Sequence, residues 1–229
     1  MSSLRLYLIG YNSISLLGWT AVLALTLQHV FAGGADAALA RARTLHASGV
    51  GAALYVVETA SLLEVLHSAL GWVRSPLAPT LLQVAARLIV LWGVTYQSAA
   101  ARGCAGFALM TAAWASAELP RYGFYLAKLA LPGGAPAWLT WLRYSLFLVL
   151  YPLGIAGEVL SLLAALPGAR AGTVGLHLSL PNAHNVAFSY HVCLLVLLVL
   201  YIPGSPYMIG YMIKQRRREL AKGGEKKAE

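Results

Sequence analysis

The sequence predicts an all-α protein, a polytopic membrane bundle of about six transmembrane helices. Of its 229 residues, 59% are hydrophobic and only 11% are charged, and the mean hydropathy is +0.68. A soluble domain needs more polar residues than this to cover its surface. The apolar residues also fall into long stretches, most of them reaching the ~20 residues needed to cross ~30 Å of hydrocarbon.

Six apolar stretches define the predicted helices. They cover residues 6–31, 50–73, 78–100, 103–127, 137–166 and 185–213. Glycine and proline between them end helices and form turns, as in the segments LPGGAPA and LPGARAGTVGLHLSLPN. The fourth stretch is the least defined, because Pro120 is expected to kink that helix or end it early. A cleaved signal peptide is the alternative for the first stretch, but the apolar run exceeds the ~7 to 15 residues of such a core.

The C-terminal segment KQRRRELAKGGEKKAE is strongly basic. It holds seven of the seventeen Lys and Arg residues against three acids, which divides the chain into a six-helix domain, residues 1–213, and a tail, residues 214–229. A basic segment beside a span usually lies in the cytosol, and an even number of spans then places both termini there. Nucleic-acid binding is disfavoured, because the tail lacks interleaved aromatics and directly follows an apolar span. Lys226 and Lys227 resemble the dilysine retrieval signal of endoplasmic reticulum membrane proteins.

The two cysteines, Cys104 and Cys193, lie in apolar segments and match no metal-binding or redox spacing. We therefore expect no metal site and no disulfide framework.

Charged residues inside the predicted spans point to a polar interior. An ionisable group at membrane depth costs at least ~2.5 to 3.5 kcal/mol, so these side chains are expected to turn inward and pair around a common cavity. The alternatives are buried salt bridges that only fix helix packing and the pathway of a transporter. The residues concerned are Glu58, Glu64, His67, Arg87, Glu118, Arg121, Arg143 and Glu158.

The segment LVLYPLGIAGEVL places a phenol and a carboxyl group on one helical face. Tyr151 and Glu158 are seven residues apart, close to two helical turns, so their Cα atoms lie about 10 Å apart along the axis. Such a pair is a plausible acid and base couple, and the alternative is a pair that only satisfies itself by hydrogen bonding. Pro152 is expected to kink the helix, while Gly154 and Gly157 leave room for a substrate or a neighbouring helix.

Four segments together resemble a known family. They are LEVLHSALGWV (63–73), QVAARLIVLWG (83–93), WASAELPRYGFY (114–125) and WLRYSLFLVLYPLGIAGE (141–158). In order and spacing they are similar to the 3-hydroxyacyl-CoA dehydratases of very-long-chain fatty acid elongation, also called protein tyrosine phosphatase-like proteins. The resemblance spans most of the chain, and the Tyr-Pro-x-Gly-x-x-Gly-Glu element is its most specific part.

The resemblance implies a six-helix endoplasmic reticulum protein that removes water from a (3R)-3-hydroxyacyl-CoA to give the trans-2-enoyl-CoA. It implies Tyr151 and Glu158 as the catalytic pair, and no cofactor besides the coenzyme A of the substrate. Its partners would be the bilayer, the condensing enzyme and the two reductases of elongation. The supporting or substrate-binding positions it implies are Glu64, Gln83, Arg87, Glu118, Arg121, Arg143 and Gly154. Pro120 departs from the family pattern, where an aliphatic residue is expected, which questions the local path of Arg121.

Dehydration needs a base for the C2 proton and an acid for the departing C3 hydroxyl. Tyr151 and Glu158 can supply one each, in either order, and we favour Glu158 at the hydroxyl. The coenzyme A phosphates are expected among basic residues at the cytosolic mouth. The alternative function is a catalytically silent scaffold of the elongation complex.

The phosphatase-like label has its own sequence test. HSALGWVR, from His67 to Arg74, has the spacing of a His-Cys-x5-Arg phosphatase loop, but Ser68 occupies the cysteine position. A serine hydroxyl is not ionised at neutral pH and does not replace a low-pKa thiolate. We therefore expect no phosphatase activity and a packing or hydrogen-bonding role for His67.

Overall fold

A computed structural model describes residues 2–178 and 187–225, with side chains described up to residue 221. Its α-helices are α1 (Ser3–Phe31), α2 (Ala38–Ala42), α3 (Val50–Ala60), α4 (Leu62–Ala69), α5 (Leu77–Leu88), α6 (Ala99–Arg102), α7 (Ala105–Ala130), α8 (Ala137–Ser145), α9 (Phe147–Arg170) and α10 (Tyr190–Glu225). A 3-10 turn covers Leu45–Ser48, and a π-helical segment, Ile89–Thr95, extends α5. Two short strands, β1 (His177–Leu178) and β2 (Phe188–Ser189), pair in antiparallel register.

The predicted polytopic helical bundle is confirmed. Within the described residues, five helical stretches are long and apolar enough to cross a membrane: Ser3–Phe31, Val50–Ala69, Leu77–Thr95, Ala137–Arg170 and Tyr190–Ala221. The remaining predicted span corresponds to α7, whose 26 residues are long enough to cross a membrane. Its sequence is more polar than that of the five spans, and these polar side chains are tolerated because other helices, rather than lipid, surround much of α7.

Helix α7 is the centre of the bundle and packs mainly against α1 and α9. Trp19 of α1 and Leu54 of α3 join Phe107, Met110 and Trp114 of α7 in one buried apolar cluster. Ala42 of α2 also belongs to this cluster, so apolar burial holds the short segments α2 and α3 on the long helices.

Glycines set the distance between α7 and α9. A Cβ atom on Gly157 would lie 2.5 Å from the Met110 nitrogen and 2.7 Å from the Gly106 carbonyl oxygen. Only glycine permits two helix backbones to approach this closely. Of the two expectations for Gly157, the structure supports the neighbouring helix, because α7 fills the space beside it.

Several expected helix boundaries are wrong. Helix α7 continues through Pro120 to Ala130, although proline removes one backbone hydrogen bond at this point. Helix α9 also continues through Pro152, where the expected kink stays a prediction, and the predicted fifth span is divided at Leu146 between α8 and α9. Helix α10 extends past the predicted end at residue 213 to Glu225, so the first part of the basic tail is helical.

The described chain ends lie at the same end of the bundle. The Arg5 side chain at the start of α1 donates through Nε to the Leu129 carbonyl at the end of α7, at 2.9 Å. Near the end of α10, Arg216 Nε donates to Ser145 Oγ of α8 at 3.1 Å. A short loop joins α7 to α8, which places both contacts at this end. The dilysine-like pair Lys226-Lys227 lies outside the described residues.

Candidate active site

Arg121 joins α7 to α4 through a two-pronged ion pair. Its Nη1 lies 2.5 Å from Glu64 Oε2 and its Nη2 lies 2.8 Å from Glu64 Oε1. The Tyr122 hydroxyl donates to the same Oε1 at 2.5 Å. A guanidinium and a carboxylate in this planar arrangement form one of the stronger polar contacts in proteins. The local path of Arg121 is therefore regular despite Pro120.

A second guanidinium extends this contact into a cluster. Arg121 Nε also donates to Glu118 Oε2, and Glu118 Oε1 accepts from Arg87 Nη1 at 2.6 Å. Arg87 Nη1 lies 3.5 Å from Oε2 of Glu58, whose side chain is fully buried. Five charged residues from α3, α4, α5 and α7 thus form one connected ion-pair cluster. The expected inward pairing of carboxylates with guanidiniums is confirmed for them.

Glu158 is fixed by donors from two other helices. Trp114 Nε1 of α7 donates to Oε1 at 2.8 Å, and the Tyr201 hydroxyl of α10 donates to Oε2 at 2.5 Å. The guanidinium carbon of Arg87 lies 4.4 Å from the centre of the Trp114 ring, a favourable cation–π distance. Trp114 therefore connects Glu158 to the ion-pair cluster.

Sequence reasoning named neither Trp114 nor Tyr201 as a site residue. Trp114 precedes Glu118 by four residues, a spacing that puts both on one helical face, so the polar face of α7 was a signal for it. Tyr201 lies 43 residues from Glu158 in the chain, inside an apolar span. No local pattern indicates its contact with Glu158.

Tyr151 lies near Glu158 without bonding to it. It is half-buried on α9 and close enough to Glu158 to interact electrostatically. Its hydroxyl forms no hydrogen bond with any residue in the described part of the chain, and the phenol on Glu158 is that of Tyr201. The alternative in which Tyr151 and Glu158 only satisfy each other by hydrogen bonding is therefore not what the structure contains.

The remaining predicted positions divide into two groups. Gly154 faces the site, because a Cβ atom there would lie 3.6 Å from Trp114 Nε1. Gln83 is exposed on α5, one turn before Arg87, and has no hydrogen bond within the described ranges. Arg143 also lies apart from the ion-pair cluster: its Nη2 donates to the Tyr125 hydroxyl at 3.1 Å.

The charged residues form direct ion pairs, and the common cavity expected around them stays a prediction. An open cavity of about 650 Å³ lies near the start of α3, lined by His46, Tyr55, Tyr96 and Arg102 among others. Burial, followed by the proximity of Arg102, lowers the pKa of His46. A second cavity of about 510 Å³ lies beside β1 and β2. Neither cavity is lined by Tyr151 or by Glu158.

His67 has the packing and hydrogen-bonding role expected of it. It is buried in α4, its Nε2 lies 2.9 Å from the Tyr7 hydroxyl, and its ring stacks on Trp72. Ser68 donates to the Ser75 carbonyl at 2.7 Å. Since both residues belong to a helix end, they do not form an open loop of backbone donors around a phosphate. Among the described residues, no three His, Cys, Asp or Glu side chains are grouped so as to hold a metal ion.

Comparisons with known proteins cover nearly the whole chain. The family described as protein tyrosine phosphatase-like protein, PTPLA, matches residues 58–222. The chain is 37% identical to the very-long-chain (3R)-3-hydroxyacyl-CoA dehydratase hpo-8 of Caenorhabditis elegans over 98% of this chain and 99% of that protein. It is 37% identical to PASTICCINO 2 of Arabidopsis thaliana, a dehydratase of the same name, over 95% and 94%. Dehydratase 2 of Homo sapiens is 35% identical over 96% and 83%. No solved structure matches.

Proposed function

The chain belongs to the protein tyrosine phosphatase-like protein (PTPLA) family, and from that premise we propose how its buried residues carry out the reaction. It is a very-long-chain 3-hydroxyacyl-CoA dehydratase, a hydro-lyase, because relatives of that name match it from end to end. The substrate is an acyl-CoA, and the bilayer surrounds the bundle. We propose Tyr151 and Glu158 as the catalytic pair.

The reaction has a defined balance of bonds. A base takes the C2 proton, which the thioester makes more acidic, and the electron pair of that C–H bond forms the C2–C3 double bond. The C3–O bond breaks, and an acid gives its proton to the departing hydroxyl, which leaves as water. Two groups are therefore sufficient, one that takes the proton from C2 and one that gives a proton to the oxygen on C3.

One observation carries the assignment of the pair. Glu158 is fixed through both of its oxygens by Trp114 and Tyr201, whereas the nearby hydroxyl of Tyr151 forms no hydrogen bond within the described residues. A fixed carboxyl group beside an unengaged phenol is an arrangement that a substrate hydroxyl and C2–H group can complete.

The ion-pair cluster has a supporting role in this proposal. Arg121, Glu64, Glu118 and Arg87 connect the three helices α4, α5 and α7 and end against the face of Trp114, which holds Glu158. A change anywhere in the cluster would therefore move the carboxyl group relative to the substrate. Held in place in this way, the group needs little reorganisation during the reaction.

Arg143 is proposed to contact the coenzyme A phosphates. Its Nε is buried without a hydrogen-bond partner among the described residues, and Arg216 of the basic end of α10 lies nearby on Ser145. Guanidinium groups bind phosphate oxygens with favourable geometry. Gln83, which is apart from the ion-pair cluster, is proposed to contact the substrate from α5.

We further propose an endoplasmic reticulum location with both termini in the cytosol. The support is the basic tail, residues 214–229, and the position of both described chain ends at one end of the bundle. The condensing enzyme and the two reductases of elongation are the proposed partners, since each handles the same acyl-CoA chain. Residue 213 is proposed as a functional boundary between the membrane domain and the basic tail. It is not a boundary between helices, because α10 runs across it.

The proposal is tested by turnover of the purified protein. In detergent or nanodiscs it should convert a (3R)-3-hydroxyacyl-CoA to the enoyl-CoA, and Tyr151→Phe or Glu158→Gln should abolish conversion while the variants elute as the wild type does. Tyr207→Phe is the matched control, because that tyrosine on α10 is 72% exposed. Full turnover by both variants would show that Tyr151 and Glu158 are not the catalytic pair. An inactive wild type would favour the alternative function, a catalytically silent scaffold.

A further inference from the structure

We propose that Tyr201 is a positioning residue that keeps Glu158 in its carboxylate form and aimed at C2 of the substrate. Glu158 is then the base of the dehydration, and Tyr151 is the acid that protonates the departing hydroxyl. This assignment rests on the proposed function and reverses the order that the sequence favours for the two groups.

The hydrogen-bond partners of Glu158 favour its carboxylate form. A carboxylate only accepts, whereas a neutral carboxyl group must donate one proton. Trp114 Nε1 is only a donor, and it occupies Oε1. The other partner is the Tyr201 hydroxyl, whose single hydrogen bond within the described part of the chain is the one to Oε2. A neutral Glu158 that donates to Tyr201 would keep both contacts but leave the phenol proton without an acceptor there, whereas an ionised Glu158 accepts from both donors.

Packing fixes the Tyr201 hydroxyl in this position. Tyr201 is partly buried and packs against a cluster that includes Leu162 of α9 and Leu194 of α10, together with residues of the π-helical segment and α6. A tyrosine has two side-chain torsions, and packing of the ring restricts both. The hydroxyl can therefore hold the carboxylate without the entropy loss that a long flexible donor would incur.

The charge states assign the two chemical roles. A carboxylate takes a proton and has none to give, which suits it to the C2 position. Tyr151 retains its phenol proton and can give it to the C3 oxygen as the C–O bond breaks. Glu158 then carries the proton from C2 and Tyr151 is a phenolate. Transfer of that proton from Glu158 to Tyr151, directly or through water, restores the starting state.

The first test compares two identical chemical changes on one helix. Tyr201→Phe removes only the hydroxyl that Glu158 uses, so kcat should fall about 10- to 100-fold, the range for a hydrogen bond to a charged group, with KM unchanged. Tyr207→Phe should retain the wild-type kcat. A merely structural role for Tyr201 would lower the melting temperature and the yield of folded protein with kcat intact, and that result would overturn the proposal.

The second test uses a substrate that needs no acid. In a 3-chloroacyl-CoA, chloride leaves without a proton while C2 still requires a base. Tyr151→Phe should therefore eliminate chloride at a rate close to that of the wild type, whereas Glu158→Gln should not and Tyr201→Phe should remain slow. Chloride elimination by Glu158→Gln but not by Tyr151→Phe would reverse the roles and overturn the inference. The wild type is also tested for dehydration in the same assay. If it dehydrates the hydroxyacyl-CoA while the roles are reversed, the assignment of base and acid fails but the proposed function stands.

Discussion

Replacing Gly157 by alanine should separate α7 from α9 and thereby disturb the site. The added methyl group would lie 2.5 Å from the Met110 nitrogen, and ordinary van der Waals contact begins at 3.4 Å. The Met110 nitrogen is a backbone atom and the added methyl group is fixed directly to the α9 backbone. Neither can rotate away, so the helices must separate locally by about 0.9 Å. The same displacement would lengthen the bond from Trp114 to Glu158, now 2.8 Å, to about 3.7 Å, beyond hydrogen-bond range.

The magnitude follows from these two losses. Overpacking of this kind costs about 1 to 3 kcal/mol, and a lost hydrogen bond to a charged group costs about 1.5 to 3 kcal/mol. We expect the free energy of unfolding of Gly157→Ala to fall by about 3 kcal/mol, which corresponds to a decrease in melting temperature of about 6 to 12 °C for a chain of this size. Dehydratase turnover should fall at least about tenfold, because Glu158 loses one of its two donors.

The control is Gly154→Ala, because Gly154 lies on α9 like Gly157 and also faces α7. Its methyl group would lie 3.6 Å from Trp114 and 3.8 Å from the Ala113 Cβ, which are ordinary contacts. Its melting temperature in the same detergent should remain within about 2 °C of the wild type. If Gly157→Ala had the same melting temperature as Gly154→Ala, the close approach of α7 and α9 would not require glycine at position 157, and the reasoning would be refuted.

The buried ion pairs, the serine of the phosphatase-like spacing and the chain end give three further tests. Arg121→Ala leaves the carboxylates of Glu64 and Glu118 without their shared partner and should lower the unfolding free energy by about 3 to 5 kcal/mol, measured as a lower melting temperature. Arg121→Lys should recover only part of the lost unfolding free energy, because a lysine cannot form the two-pronged contact. Complete recovery would contradict a stabilising role for that contact. Ser68→Cys should hydrolyse no p-nitrophenyl phosphate, since the loop that activates a thiolate is missing, and turnover above the wild type would refute this. A glycosylation acceptor fused after the last residue should stay unmodified in microsomes, whereas modification would place the C-terminus in the lumen.

The sequence predicts the helices and the inward charges because both follow from the solvent. A stretch of ~20 apolar residues satisfies its backbone as a helix in lipid, and a charge in such a stretch is stable only with a partner. Which partner it finds depends on distances between helices. Arg121 has carboxylates on its own helix, at Glu118, and on α4, at Glu64, and it binds both. The sequence could not distinguish this shared contact from separate pairs.

The contacts that sequence reasoning missed are long-range ones. The bond between Tyr201 and Glu158 joins two helices that neither share a motif nor show a common periodicity. The continuation of α7 through Pro120, where an early helix end was one expectation, has a related cause. Proline removes one hydrogen bond and crowds the preceding turn, but a helix packed on several sides is held by its neighbours and continues through it.

The polarity of α7 and the position of the candidate site have the same cause. Among the long helices of the described residues, α7 is the one outside the five that are apolar enough to span by composition, and it supplies Trp114, Glu118 and Arg121. A helix with these side chains is stable in a membrane only when other helices cover them. Covering them brings α4, α5 and α9 to the same place, and α10, which packs on α9, supplies the second donor to Glu158 there. Substitution of the α7 charges by apolar residues would therefore remove the ion pairs that hold the neighbouring helices at this position, even if the bundle still inserted into the membrane.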